Sequence, residues 1–418
     1  MAEHVAIVGY GTAGQAAAVL LSHDGHRVEV FERAPQPGPV GAGFLLQPTG
    51  LHVLWTMGLL DDALVHGARI ERLYGETTAG RAVMDMRYRE LEPRLFGLGM
   101  QRGALFELLD AAWTTSRVLH AGVEVTHIDA ERGWLRGADG RSHGPFDRIV
   151  VASGAASALR RQVAEPALDR PYPWGAQWCL VPQGDWRWPD ELRQRYLRAR
   201  RMAGLLPVGT RPGDPVPRLG FFWSLPVAAL DAPADAARWR ADVAAVWPEA
   251  LERLHGIDAP AQLAAARYRD CVMRTWHRGR AIVIGDAAHA MSPQLGQGVN
   301  MALLDAVGLR DALRAAPDEA LARFVARRRR HLLTYHRWSR WLTPLFQSDH
   351  DWAAACRDRL MHPLSRLPGG RGEMLRVLTG TRVGALGTLE LPDAFLEALH
   401  AAAPARDTVA AMPAEKRA

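Results

Sequence analysis

Val5-Ala-Ile-Val8 runs straight into Gly9-Tyr-Gly11-Thr-Ala13-Gly14, and Gln15 to His23 follows, rich in alanine and leucine. The apolar run predicts a strand buried on both faces. The alanine-rich stretch predicts a helix, and His26-Arg-Val-Glu-Val-Phe31 predicts a second strand ending at Glu32. Together they form a complete βαβ unit with glycines at its first turn. Gly9 permits the tight turn, Gly11 lets backbone approach a pyrophosphate, and Gly14 allows close helix packing, with the helix N-terminus favouring negative charge. Glu32 is spaced to accept hydrogen bonds from a ribose hydroxyl. Gly9, Gly11, Ala13, Gly14, Glu32 and the adjacent Arg33 are therefore the expected contacts for one end of a dinucleotide.

A second glycine-rich cluster lies far down the chain. Ala281-Ile-Val-Ile-Gly285 repeats the buried-strand pattern, then Asp286-Ala-Ala-His289 and Pro293-Gln-Leu-Gly296-Gln-Gly298-Val299-Asn300 follow. A carboxylate after a buried strand can accept bonds from a polyol chain. Gly296 and Gly298 leave bare backbone amides close together, and a helix starting near Val299 aims its positive end at them. That arrangement suits a ring system that gains negative charge on reduction, as a flavin does. Gly285, Asp286, Pro293, Gly296, Gly298, Val299 and Asn300 are the expected contacts there.

These motifs, in this order, resemble those of the FAD-dependent aromatic hydroxylases, the single-component flavoprotein monooxygenases. The resemblance covers roughly residues 4–390, and its most specific part runs from Arg280 to Ala306. Gln101-Arg102-Gly-Ala-Leu105 resembles the family segment whose arginine contacts FAD, which gives Arg102 that role. The resemblance implies FAD as cofactor, NADPH or NADH as reductant, and O2 as co-substrate. It implies a flavin C4a-hydroperoxide that passes one oxygen atom to an aromatic or conjugated substrate, with no metal. One segment departs from the pattern: Ala152-Ser153-Gly154-Ala-Ala-Ser157 carries serine where the family has aspartate. That aspartate is linked in the family to both FAD and NAD(P)H handling, so Ser153 puts direct reduction by NAD(P)H in question and leaves a partner flavin reductase as the alternative. Pro293 would shape the oxygen-activating pocket through its backbone. No catalytic acid or base is named.

Composition narrows the alternatives. Among 51 basic residues Lys416 is the sole lysine, and it lies in a polar tail, which argues against Schiff-base catalysis and against a halogenase needing a pocket lysine. The net charge of +6 is carried by arginine throughout and reads as compositional bias. Arg327 to Arg330 falls inside a helical pattern and is expected on a solvated face, with no interleaved aromatics to mark a nucleic-acid stripe. Cys179, Cys271 and Cys356 are scattered, so neither a disulfide framework nor a zinc site is expected. Free thiols and a start that runs at once into a strand suit a cytoplasmic protein. No apolar run is long enough to insert stably in a membrane. A monomer and a homodimer are equally compatible.

The expected fold class is α/β. A Rossmann-like FAD-binding domain of the glutathione-reductase type (residues 1–68, 98–171 and 269–325) is interrupted by a mixed or antiparallel substrate-binding sheet (69–97 and 172–268). A helical region (326–400) and a disordered tail (401–418) follow. The substrate should sit between flavin and sheet, against Gln47, Trp178, Leu206, Phe222 and Trp223. Strand alternation puts Phe222 and Trp223 on opposite faces, so at most one of them faces the pocket. A flavin-dependent dehydrogenase or reductase, a two-component or halogenase-like enzyme, and a non-catalytic flavoprotein are the competing functions.

Overall fold

The computed structural model describes residues 2–39, 41–231 and 235–402. His4–Val8 is the centre of a six-stranded sheet. It pairs in parallel with Arg27–Glu32 on one side and Arg148–Val151 on the other. Val118–Ala121 extends one edge, and Ala281–Val283 with His277–Arg278 extends the other. All but the last of these strands are parallel, and His4–Val8 is almost wholly apolar and buried, as a strand covered on both faces must be. The helix Thr12–His23 covers one face and packs along Gly298–Ala315.

A seven-stranded sheet stands against this layer. Its order is Ala264–Met273, Pro166–Pro182, Asp214–Pro226, Arg201–Arg211, Glu191–Leu197, Arg72–Thr77, Ala82–Arg87. Every neighbouring pair is antiparallel except Glu191–Leu197 with Arg72–Thr77. A small sheet of Gly43–Leu46, Gly97–Gln101 and Ala68–Ile70 joins the two layers. Its closeness to the large sheet is enforced by glycine: a Cβ on Gly99 would lie 1.9 Å from the Pro207 carbonyl oxygen. The helices Ala320–Phe346, Asp351–Ser365, Gly370–Leu378 and Asp393–Ala401 close the molecule. Among the described residues no helix is long and apolar enough to cross a membrane.

Three sequence expectations need correction. The apolar spacing of Leu105, Leu108, Leu109 and Ala112 predicts a helix over 103–117, but the helix ends at Ala112, because Trp113 turns into the core and its indole N–H donates to Ser22 Oγ at 3.0 Å. The freed chain then forms Val118–Ala121, an edge strand the sequence pattern did not mark. Arg328 is not on a solvated face; it is buried and ion-paired to Asp305, whereas Arg327, Arg329 and Arg330 are exposed. Ala401, expected in the disordered tail, closes the last helix, and residues 403–418 of that tail lie outside the described residues.

Candidate cofactor and substrate site

The first glycine turn divides its labour among its three glycines. Gly9 has φ +106°, and a Cβ there would sit 2.6 Å from Ala152 O and 2.9 Å from Ser153 Cα. A Cβ on Gly14 would sit 2.0 Å from Gly9 O. Both glycines are thus required by packing within the protein. Gly11 is different: among the described residues nothing lies within 4 Å of its Cβ position, and it caps the N-terminus of Thr12–His23. That is an open cradle at a positive helix end, which fits a pyrophosphate. Glu32 is held close by, its carboxylate accepting from Tyr10 N at 2.8 Å and Ala34 N at 2.9 Å, with Arg33 exposed beside it.

The second cluster is locked onto the first. Gly285 has φ +60°, and its Cβ position lies 2.9 Å from the Cβ of buried Ala13. Gly285 N donates to Asp305 Oδ2 at 2.9 Å, while Asp286 is exposed at the edge of the adjoining cavity. Pro293–Leu295 is a single 3-10 turn ended by Gly296 at φ +61°, and Gly298 opens the helix Gly298–Ala315. Among the described residues no atom meets a Cβ on Gly296, and on Gly298 the one near atom is Asp286 Oδ1 at 3.7 Å. Val299 lines the same cavity. The Asn300 side chain does not face it freely. It is fully buried, accepts from Gln47 N at 2.9 Å, and donates to Gly296 O at 3.2 Å, so it shapes the loop.

A cavity of about 670 Å³ joins this loop to the large sheet. Arg102 begins the helix Arg102–Ala112 and lies under Gly41, 5.6 Å from the Phe44 ring centroid. Burial pulls its pKa below the usual arginine range, with Asp286 and Tyr268 opposing. Arg102 Nε, Tyr268 OH, Gln294 Nε2 and Gln297 Oε1 are buried atoms of cavity-lining residues that have no hydrogen-bond partner among the described residues. An unsatisfied buried polar group costs about 1–3 kcal/mol. Four such atoms around one cavity fit a polar ring ligand that would satisfy them, and with open Gly11, Gly296 and Gly298 they fit FAD.

The opposite wall is apolar. Trp178, Leu206 and Phe222 line it, with Trp178 and Phe222 edge to face at 5.5 Å. Gln47 also lines it, its Oε1 accepting from Tyr88 OH at 2.7 Å. Trp223, the fifth expected pocket residue, is not there. It is buried on the other face of its strand in a separate core with Trp239 and Trp247. Tyr268, Gln294 and Gln297 were missed in the sequence; the loop position of Gln294 and Gln297 between Pro293 and Gly298 was the available signal. Ser153 shares a 2.6 Å hydrogen bond with Ser157, and buried Arg160 donates to the carbonyls of Gly154 and Ala155. The segment that departs from the family pattern is therefore tied down and lies directly against the first glycine turn.

Known proteins resemble this chain in sequence and in fold. The family model described as "FAD binding domain" matches residues 2–338. Kynurenine 3-monooxygenase of Salinispora arenicola is 30% identical over 358 residues, covering 79% of this chain and 77% of the relative. Aurachin C monooxygenase/isomerase of Stigmatella aurantiaca is 29% identical, covering 86% and 94%. Klebsiella pneumoniae HpxO, solved with FAD and uric acid, superposes with a TM-score of 0.77 at 22% identity, covering 92% of this chain and 98% of that one.

Proposed function

The chain belongs to the FAD-dependent aromatic hydroxylase family, and on that premise we propose that it inserts one oxygen atom of O2 into an aromatic or conjugated small molecule, with NADPH or NADH as reductant. The observation that carries this reading is the single cavity whose one wall is the Gly296–Gly298 loop with Arg102 and whose other wall is Trp178, Leu206 and Phe222.

Bound FAD, once reduced, supplies the oxygen activation. The protein's own residues do the rest. Gly11 and the start of Thr12–His23 would hold the pyrophosphate, and Glu32 the ribose. Arg102, Asp286 and the amides around Gly296 and Gly298 would hold the polyol chain and ring. Pro293 fixes the loop that shapes the reacting face. The aromatic wall would exclude water and orient a flat substrate against the reacting face. The division of the chain into FAD-binding segments (1–68, 98–171, 269–325) and a substrate sheet (69–97, 172–268) follows the same assignment.

The test is anaerobic stopped-flow absorbance of the FAD-loaded protein mixed with NADPH or NADH, then with oxygenated buffer. Flavin bleaching by the nucleotide, followed by a transient band on reoxidation, supports a self-sufficient monooxygenase despite Ser153. Bleaching by dithionite alone, with the transient retained, moves the reductant to a partner protein. Oxygen-independent product formation would make it a dehydrogenase.

A further inference from the structure

The cavity does not end at the aromatic wall. It continues between the helices Ala320–Phe346 and Asp351–Ser365, past Trp338, Trp341 and Leu342 on the first and Leu360, Met361 and Leu364 on the second. Its mouth is apolar yet open to solvent: Trp341 is 66% exposed, Leu360 53% and Leu364 54%. Soluble monomers rarely leave such side chains grouped at a cleft without a ligand to cover them.

Polar capacity is distributed unevenly along this cavity. The four atoms without a partner among the described residues belong to Arg102, Tyr268, Gln294 and Gln297, on the side of the glycine loop. The charged residues that line the cavity from the helical side have their ends engaged elsewhere. Arg357 donates to Leu345 O, Arg198 O and Asp358, and Glu373 accepts from Arg382. Gln194 accepts from Tyr196 OH. A ligand group lying between the two helices meets mostly hydrocarbon and indole, with Cys356 and the engaged Arg357 as the polar exceptions, and a polar group there would lose most of its hydrogen bonds to water without replacement. A single aromatic ring reaching the loop would leave this outer part unfilled.

We propose that the substrate is an amphiphile, a conjugated polar head carrying a hydrocarbon tail, and that the tail lies in the slot between Ala320–Phe346 and Asp351–Ser365. This rests on the hydroxylase reading above and narrows its substrate class. The head lies on the loop side, beside the flavin site, and not between the two helices. The tail reaches outward past Leu342 and Met361 to the mouth at Trp341, Leu360 and Leu364.

The test uses the FAD-loaded full chain and two probe series, 4-alkylphenols and 2-alkyl-4(1H)-quinolones with methyl, butyl, heptyl and undecyl tails, titrated by the flavin difference spectrum. In at least one series Kd should fall by roughly threefold to fourfold per added methylene until the tail reaches the mouth. The double variant Leu360→Asp with Leu364→Asp alters exposed positions, so folding and FAD content should hold. It should weaken the heptyl probe by about tenfold or more, while the methyl probe is unchanged. A Kd independent of tail length in both series, or a length dependence the double variant leaves intact, overturns the proposal. If a flat series is accompanied by flotation of the protein with phosphatidylcholine vesicles, the mouth is a membrane-docking face and the tail slot is likewise rejected. Loss of NAD(P)H-driven and dithionite-driven oxygen chemistry sinks the hydroxylase reading itself; intact chemistry with a flat series sinks the tail alone.

Discussion

Arg328 donates from Nε to Asp305 at 2.8 Å, and the same carboxylate accepts from His289 Nε2 at 2.6 Å and from Gly285 N at 2.9 Å. Arg328 also bonds His331, whose Nε2 donates to Gly380 O at 2.9 Å. The chain of contacts runs from the Gly285 turn, through the long helix, to the C-terminal helices, and all its side chains are buried. Burial alone would raise the Asp305 pKa, but His289 and Arg328 outweigh it and hold the carboxyl at about 2. The carboxylate therefore anchors the loop expected to face the flavin while touching no part of the cavity.

Removing that anchor should be costly. Asp305→Asn leaves Arg328 buried without a counter-charge, a change worth about 3–5 kcal/mol. Urea unfolding monitored by circular dichroism should show this loss, together with lower FAD retention on gel filtration. Replacing both partners, Asp305→Leu with Arg328→Met, should recover a substantial part of the stability, since no orphaned charge then remains. An equally unstable double variant would mean that the Gly285 and His289 bonds, and not the ion pair, are what matter.

The three glycines of the first turn should separate by phenotype. Gly14→Ala drives a methyl into Gly9 O and should cost stability whether or not FAD is present. Gly11→Ala meets nothing among the described residues and sits at an ordinary φ of −83°. The apoprotein should melt as wild type does, with FAD affinity reduced by about tenfold or more because the methyl occupies the ligand's approach. Isothermal titration of apoprotein with FAD, beside thermal melts without it, distinguishes the two.

Much of this was legible in the chain because it rests on local rules. Glycine spacing after a buried strand locates both turns, and strand alternation separates Phe222 from Trp223 before either is seen. What stayed hidden depends on distant partners. Nothing near Arg328 in sequence marks it as buried among four consecutive arginines; its partner is Asp305, on another helix. Trp113 ends its helix for the sake of Ser22, 91 residues earlier. Tyr268 acquires its cavity position from a strand pairing whose register no local pattern specifies.

Acid should destabilise the protein well above the pH at which carboxylates protonate. Burial, with Arg328 beside His331 and with His289 and Arg340 near His336, lowers both histidine pKa values from 6.5 to about 3. Below pH 6.5 the unfolded chain takes up protons that the folded chain refuses, so stability falls as pH drops from about 6.5 towards 3. Between pH 7.5 and 5.5 each histidine should account for roughly 1 kcal/mol of loss. His336→Leu should flatten the dependence by one histidine's share, read from urea midpoints at the two pH values. A slope unchanged in that variant would show that His336 already binds a proton in the folded state.

Phe222 and Trp223 are neighbours with opposite surroundings, and substituting each tests the placement of the substrate. Trp223 is buried in the core behind the large sheet, so Trp223→Ala should cost about 3–5 kcal/mol through the cavity it leaves. Activity per folded molecule should change little. Phe222 is half-buried and packs edge to face on Trp178 at the cavity wall. Phe222→Ala should be milder in thermal melts, yet should raise the substrate KM by about tenfold, since an aromatic contact and its buried area are lost from the bound state. NAD(P)H oxidation in the absence of substrate should be unaffected by Phe222→Ala, because the reductant need not touch that wall. An equal rise in KM in both variants would mean that the substrate reads the sheet as a rigid whole and not through the Phe222 ring.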